Sequence, residues 1–213
     1  MVGPRHLNAL TIASALVLAS VCAGHAQDKM APKPAPKMSK KMAKMEAAGV
    51  FVLTSSSFRD GRLMPRKMAG SGADKNPNCV GENVSPQLSW ANPPAGTKSY
   101  ALFMFDPEGR PPGGVSHWVA YGIPVSTTGF AEGETSKDSD KYVGGKSLMG
   151  VGHYSGPCTP PGAPHHYTFT LMATDLEPTA LKPGMTRPEA IQALEGHVKG
   201  ATGLIGLFQH PKR

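Results

Sequence analysis

The chain carries several short apolar runs, and each of them is closed by glycine or proline. Residues 100–105 form six consecutive apolar positions that end at Asp106-Pro107, and residues 118–123 end at Pro124. The 25 glycines and 21 prolines gather in the connections, where loops tolerate them far better than helix interiors do. Further runs rich in β-formers lie at 51–58, 167–173 and 204–208. This pattern of short apolar runs closed by glycine or proline predicts a mainly β fold.

One helix is expected near the C-terminus. Thr186 and Glu189 have the spacing of a capping box, and Pro188 lies in the first turn. The apolar face of this helix is predicted to consist of Ala190, Ile191, Ala193, Leu194 and Val198. The helix is therefore placed at the periphery of the β domain.

Residues 1–26 read as an export signal. Arg5 and His6 precede the apolar residues 10–19, and small residues suitable for cleavage follow. The apolar run is shorter than the roughly 20 residues that span a bilayer. A retained anchor remains an alternative, as does a lipoprotein modified at Cys22, although the bulky Val21 argues against the latter. The expected location is periplasmic or secreted.

Residues 27–48 are rich in Lys, Pro, Ala and Met and are predicted to form a disordered linker. Six lysines there face only two acidic residues, so the net charge of +7 belongs mostly to the signal and the linker. No basic stripe marks residues 49–213, the predicted folded domain, and nucleic acid is therefore not an expected partner. Met38, Met42 and Met45 have helical spacing, which leaves open a weak membrane-surface contact or a copper ligand set.

Two cysteines, Cys79 and Cys158, remain after signal removal, both in Gly/Pro-rich loops. In an exported protein an even pair suggests a disulfide. Two free or buried thiols are the competing interpretation, whereas a zinc site would need more closely spaced ligands.

Side chains able to bind an oxyanion gather around these strands. Asp106 follows one strand and His117 opens the next. Because side chains alternate along a strand, His165 and Tyr167 share one face while His166 points to the other. Taken singly, Asp106 is more typical of a turn cap and His117 of a structural histidine. Together with His165 and Tyr167, these residues form a cluster that can donate and accept hydrogen bonds near neutral pH and that suits an oxyanion such as phosphate.

The sequence resembles the phosphatidylethanolamine-binding proteins, in particular their bacterial Raf-kinase-inhibitor-like branch, over nearly all of residues 50–210. The segment 81–90 is similar to the family pattern G-x-N-x-S-P-x-L-x-W. The other matching segments, in chain order, are Asp106-Pro107-Glu108, His117-Trp118-Val119, Gly156-Pro157-Cys158-Thr159-Pro160, His165-His166-Tyr167 and 194–198. Together and in this order, these six segments make the resemblance specific.

This resemblance implies a large antiparallel sheet with a smaller sheet and peripheral helices. It also implies a pocket for phosphate-like anions or phospholipid head groups, with no cofactor and no metal. The residues carried over to that pocket are Asp106, His117, His165 and Tyr167, with Gly156 and Pro157 lining it. We expect His165 and Tyr167 to donate to the anion, and Asp106 to orient a neighbouring imidazole because two negative charges repel.

Departures from the family pattern leave other functions open. Glu108 replaces a second Asp, and Arg110 either reaches the anion or points to solvent. A hydrolase using Asp106 and His117 as its base is an alternative, but no nucleophile is evident and the protein is not expected to be an enzyme. A metal site of Asp106, His117 and His165 is a further alternative. So is an interaction module that inhibits a protease or a kinase, a role that some relatives have.

Overall fold

The computed structural model describes residue 44 and residues 49–211. In chain order, the described strands and helices are β1 Val52–Thr54, β2 Arg62–Leu63, a 3₁₀ turn Arg66–Met68, β3 Leu88–Ala91, β4 Ser99–Asp106, β5 Val115–Pro124, β6 Gly129–Phe130, β7 Val143–Gly144, β8 His165–Thr174, α1 Arg187–Ala193 and β9 Val198–Phe208. The strands form a three-stranded sheet in the order β1-β3-β6 and a six-stranded sheet in the order β2-β9-β8-β4-β5-β7.

The six-stranded sheet is antiparallel throughout except where the short β2 runs parallel to β9. Strand β4 lies inside it between β5 and β8, and seven of its eight residues are buried. A strand covered on both faces needs apolar side chains on both, which explains why β4 is a continuous apolar run rather than an alternating one.

A separate apolar cluster packs on each face of the large sheet. The larger cluster fills the space toward the three-stranded sheet, with Leu102, Met104, Trp118 and Phe169 facing Trp90. The smaller cluster lies beneath α1, where Phe103, Val119 and Tyr121 meet Ala190 and Leu194. Asp106 lies two residues after Met104 and Phe105 lies two after Phe103, so these neighbours emerge on opposite faces.

The predicted mainly β class with two sheets and few helices is confirmed. Strand bounds differ from the predicted runs. Strand β5 begins at Val115, so His117 lies inside the strand, and the first predicted strand is reduced to Val52–Thr54.

The helix prediction holds for the capping box, in which Thr186 accepts from the Glu189 N–H and the Glu189 side chain accepts in return. It was wrong for Val198. The helix ends at Ala193, and Gly196 takes a φ of 80°, which helices do not continue through. Val198 therefore starts β9 instead of extending the apolar face of the helix.

Cys79 and Cys158 are joined by a disulfide that links loops 79 residues apart in sequence. The predicted signal 1–26 lies outside the described residues, as does the linker 27–48 apart from residue 44. Within the described part of the chain, no helix has the length and apolar character needed to cross a membrane.

Candidate functional site

Three strand ends meet at one end of the large sheet and bring the predicted residues together. Strand β4 pairs antiparallel with both β5 and β8, so its last residue lies beside the first residues of its neighbours. Asp106 ends β4, His165 begins β8, and His117 is the third residue of β5. The local sequence fixes the strand ends, and the antiparallel pairing makes them coincide.

Asp106 is a buried carboxylate, 3% exposed, to which three N–H groups lie within hydrogen-bonding distance. Its Oδ1 accepts from the backbone N–H of Glu108 and of Gly109, both at 2.9 Å. Its Oδ2 lies 2.8 Å from Nδ1 of His165. Because an ionised carboxylate only accepts, the Nδ1 atom carries the proton of the His165 ring. Asp106 thus sets both the loop conformation and the tautomer of this imidazole.

His117 is 7% exposed, and its Nδ1 donates to the carbonyl oxygen of Ser155 at 2.8 Å. Burial lowers the pKa of His117, although the Ser155 carbonyl and the nearby Asp106 charge act in the other direction. The ring is therefore neutral at pH 7. It meets the ring of Tyr167 edge-on, with centroids 5.0 Å apart.

Tyr167 lies at the floor of the cluster and is 1% exposed. Its hydroxyl is 2.6 Å from the hydroxyl of Thr159, on the loop that runs up to β8. Burial raises the pKa of Tyr167, so the phenol stays protonated at any physiological pH. Sequence reasoning did not single out Thr159, although it belongs to the Gly-Pro-Cys-Thr-Pro motif.

The backbone groups of Gly156 and Pro157 hold this loop in place. The Gly156 N–H donates to the side-chain oxygen of Asn83 at 2.8 Å, and the Pro157 carbonyl accepts from the Gly70 N–H at 2.8 Å. A Cβ at Gly156 would lie 2.1 Å from the carbonyl oxygen of Met68. Glycine is therefore required here because two backbones approach closely.

Glu108 makes a second carboxylate–imidazole pair that the sequence did not reveal. Its Oε1 lies 2.6 Å from Nδ1 of His166, and its Oε2 accepts from the His166 backbone N–H at 3.1 Å. Burial opposes ionisation, but the hydrogen bonds from His166 prevail and lower the pKa of Glu108. Arg110 is exposed on the same loop. The rim of the cluster thus presents an ionised carboxylate beside the Asp106–His165 pair.

Two further features have the composition or the shape of a binding site, namely a group of metal-ligating side chains and a separate cleft. One ligand atom each from Asp106, Glu108 and His165 falls within 4.8 Å of the others, a set that differs from the predicted alternative because Glu108 takes the place of His117. The hydrogen bonds described above are sufficient to hold these three side chains close together, without a metal ion. Elsewhere, a cleft of about 330 Å³ is lined by Asp138, Tyr142, Lys146 and several glycines, and by none of the predicted site residues.

The sequence model of one known family matches most of the domain. The model described as phosphatidylethanolamine-binding protein covers residues 54–209. A UPF0098 protein of Methanothermobacter thermautotrophicus is 41% identical over 133 residues, which is 62% of this chain and 86% of that protein. A UPF0098 protein of Aquifex aeolicus is 32% identical over 171 residues, 78% of this chain and 94% of that one.

Solved structures show the same fold. The crystal structure of Escherichia coli YbcL, a member of the mammalian PEBP family, superposes with a TM-score of 0.68 and 27% identity, covering 75% of this chain and 98% of YbcL. A phosphatidylethanolamine-binding protein homologue from Chlamydia trachomatis gives a TM-score of 0.63 and 29% identity, covering 76% and 98%.

Proposed function

The chain belongs to the phosphatidylethanolamine-binding protein family, and from that membership and the geometry around Asp106 we propose that it binds small phosphate-like anions, including phospholipid head groups. The observation that supports this most directly is the pair formed by the buried Asp106 and the half-buried His165, whose Oδ2 and Nδ1 atoms are 2.8 Å apart. The Asp106 carboxylate occupies Nδ1 of the ring, so only Nε2 of His165 is left for a ligand.

A hydrogen bond at Nε2 needs one proton, carried either by the ring or by a P–OH group of the ligand, because a neutral ring protonated on Nδ1 presents only a lone pair there. Binding is therefore coupled to one proton shared between the ring and the bound oxygen, and the Asp106 carboxylate on the other side of the ring favours positive charge there. His117 is kept neutral by burial and adds no second positive charge. The site therefore favours a singly charged or hydrogen-bonded oxyanion and binds it more tightly at lower pH.

The rim suits the ammonium of an ethanolamine head group. Glu108 is ionised, and its side chain is 40% exposed beside the same strand ends. A phosphate seated at His165 would leave an attached ammonium near this carboxylate, where opposite charges attract. Phosphoethanolamine should therefore bind at least as tightly as inorganic phosphate.

We also propose that the protein acts outside the cytoplasm and is not an enzyme. The disulfide between Cys79 and Cys158 supports an oxidising compartment, in line with the signal-like residues 1–26. Among the described residues, no serine or cysteine side chain hydrogen-bonds to the ring of His117 or His165, whose Nδ1 atoms contact the Ser155 carbonyl and the Asp106 carboxylate. Cell fractionation with N-terminal sequencing of the purified protein would test the location.

Calorimetric titration with phosphate and with phosphoethanolamine at pH 6 and pH 7.5 tests the binding function. His165→Ala should weaken binding by about 10- to 100-fold, the value of one charge-assisted hydrogen bond. For inorganic phosphate, His166→Ala is the matched control, since this adjacent imidazole lies on the other face, paired with Glu108. Equal losses in the two variants, or tighter binding at pH 7.5 than at pH 6, would contradict the proposed function.

A further inference from the structure

Arg187, at the start of α1, is a half-buried cation without an anionic partner in the described part of the chain. Its guanidinium carbon lies 4.3 Å from the centre of the Phe105 ring. Its Nε is buried and donates to no described acceptor. Burial lowers the pKa of Arg187, and no carboxylate counteracts this.

Three exposed lysines of the same domain, by contrast, have acidic partners. Lys67, Lys98 and Lys199 form ion pairs with acidic side chains on the surface. Withdrawing a cation from water costs free energy that an ion pair or a hydrogen-bonded anion normally offsets. Stacking on Phe105 offsets only part of this cost. Stability alone would therefore not favour a half-buried arginine without an anionic partner at this position.

A second polar group without a described partner lies on the segment that pairs with the residues before α1. Lys146 and Thr186 form a parallel bridge, and the Lys146 N–H donates to the Met185 carbonyl at 2.8 Å. Ser147 and Arg187 are the residues that directly follow the two bridged positions. Ser147 is 7% exposed, and no described residue hydrogen-bonds to its hydroxyl.

The surrounding backbone holds the Phe105 platform in place. Phe105 pairs with Ser116 across β4 and β5, and the Ser116 carbonyl accepts from the Leu148 N–H at 2.8 Å. Gly114, with a φ of 69°, lets the preceding loop pass against the Phe105 ring, because a Cβ there would lie 2.2 Å from a ring carbon. The aromatic ring beneath the guanidinium is therefore fixed from two sides.

We infer that Arg187, stacked on Phe105 and flanked by Ser147, forms a second oxyanion site, on the face of the large sheet opposite the Asp106–His165 pair. The groups on offer are N–H and O–H donors, and the guanidinium fork matches the oxygens of a phosphate or a carboxylate. Phe105 and Asp106 are consecutive in β4, so one strand end serves both sites, one on each face. The inference does not depend on the proposed head-group pocket.

Counting phosphate-binding sites by calorimetry in the purified protein, at constant ionic strength, tests this. The wild type should bind two equivalents of inorganic phosphate. Arg187→Gln should retain only the His165 site, and Arg187→Lys should bind the second phosphate about tenfold more weakly because it keeps the charge but loses the fork. Arg62→Gln is the control, because it makes the same change on the edge strand β2, and it should keep both sites.

Ser147→Ala is a second test of the same site, and it remains informative if the Arg187 variants do not fold. Removing a buried hydroxyl that has no partner should leave stability unchanged or slightly raised, and should weaken the second phosphate by about two- to tenfold. One phosphate per wild-type chain, lost in His165→Ala and kept in Arg187→Gln, would overturn this inference and leave the proposed function standing. One phosphate lost in Arg187→Gln and kept in His165→Ala would support the inference and contradict the proposed function. No phosphate bound at millimolar concentration would overturn both.

Discussion

Replacing Asp106 tests whether one buried carboxylate organises the end of the sheet. In Asp106→Ala, three donors lose their acceptor: two backbone N–H groups of the following loop and Nδ1 of His165. Each buried donor left unsatisfied costs about 1–3 kcal/mol, reduced here because the loop borders solvent. We therefore expect a loss of about 3–5 kcal/mol in the free energy of unfolding, the range seen when one partner of a buried pair is removed.

Asp106→Asn separates the geometric role from the charge. Its amide oxygen can still accept from both backbone N–H groups, so the cost should fall to about 1–2 kcal/mol. Its NH₂ group would donate to Nδ1 of His165 and move the ring proton to Nε2, where a neutral imidazole can donate to an anion. Phosphate binding in this variant should therefore lose most of its dependence on pH between pH 6 and pH 7.5.

Urea unfolding followed by fluorescence gives the stability changes, and calorimetry gives the binding at the two pH values. A cost below about 1 kcal/mol for Asp106→Ala would show that the carboxylate does not hold the loop and the imidazole together. An unchanged pH dependence in Asp106→Asn would show that His165 is not the group whose protonation accompanies binding.

Three other perturbations give separate checks. Cys79→Ser with Cys158→Ser should lower the free energy of unfolding by about 2–5 kcal/mol, since the bond closes a loop of 79 residues; a change below 1 kcal/mol in urea unfolding would argue against a bridge in solution. Gly156→Ala should cost about 1–3 kcal/mol because its methyl group would collide with a backbone carbonyl, whereas Gly113→Ala, which meets open space, should cost almost nothing in the same assay. His117 has a pKa below its ordinary value of about 6.5, so the unfolded chain takes up this proton first; stability should be complete above that pH and fall below it by at most about 1.4 kcal/mol per pH unit. His117→Gln should remove this slope from urea midpoints measured at pH 5 to 7, and a variant that kept it would show that another group is responsible.

The part of the fold that sequence could predict is the part governed by neighbouring residues. Continuous apolar runs closed by proline or glycine identified β4 and β5, and the Thr186–Glu189 spacing identified the start of the helix. The two-residue strands β2, β6 and β7 carry no such pattern, because they exist only through pairing with a longer strand. Val198 was misassigned for a related reason, since both a helix face and a strand accept an apolar residue there.

For the site, the sequence by itself determined which chemical groups stand at strand ends and which side chains alternate, so Asp106, His165 and Tyr167 could be grouped in advance. Only the tertiary structure decided which partners they have. Glu108 pairs with His166, and Arg187 stacks on Phe105, although the residues of each pair are far apart in the chain. The burial that keeps His117 neutral likewise depends on the folded surroundings. Local sequence encodes backbone preference, whereas the protonation state and partner of a side chain depend on its burial and on the charges that folding brings next to it.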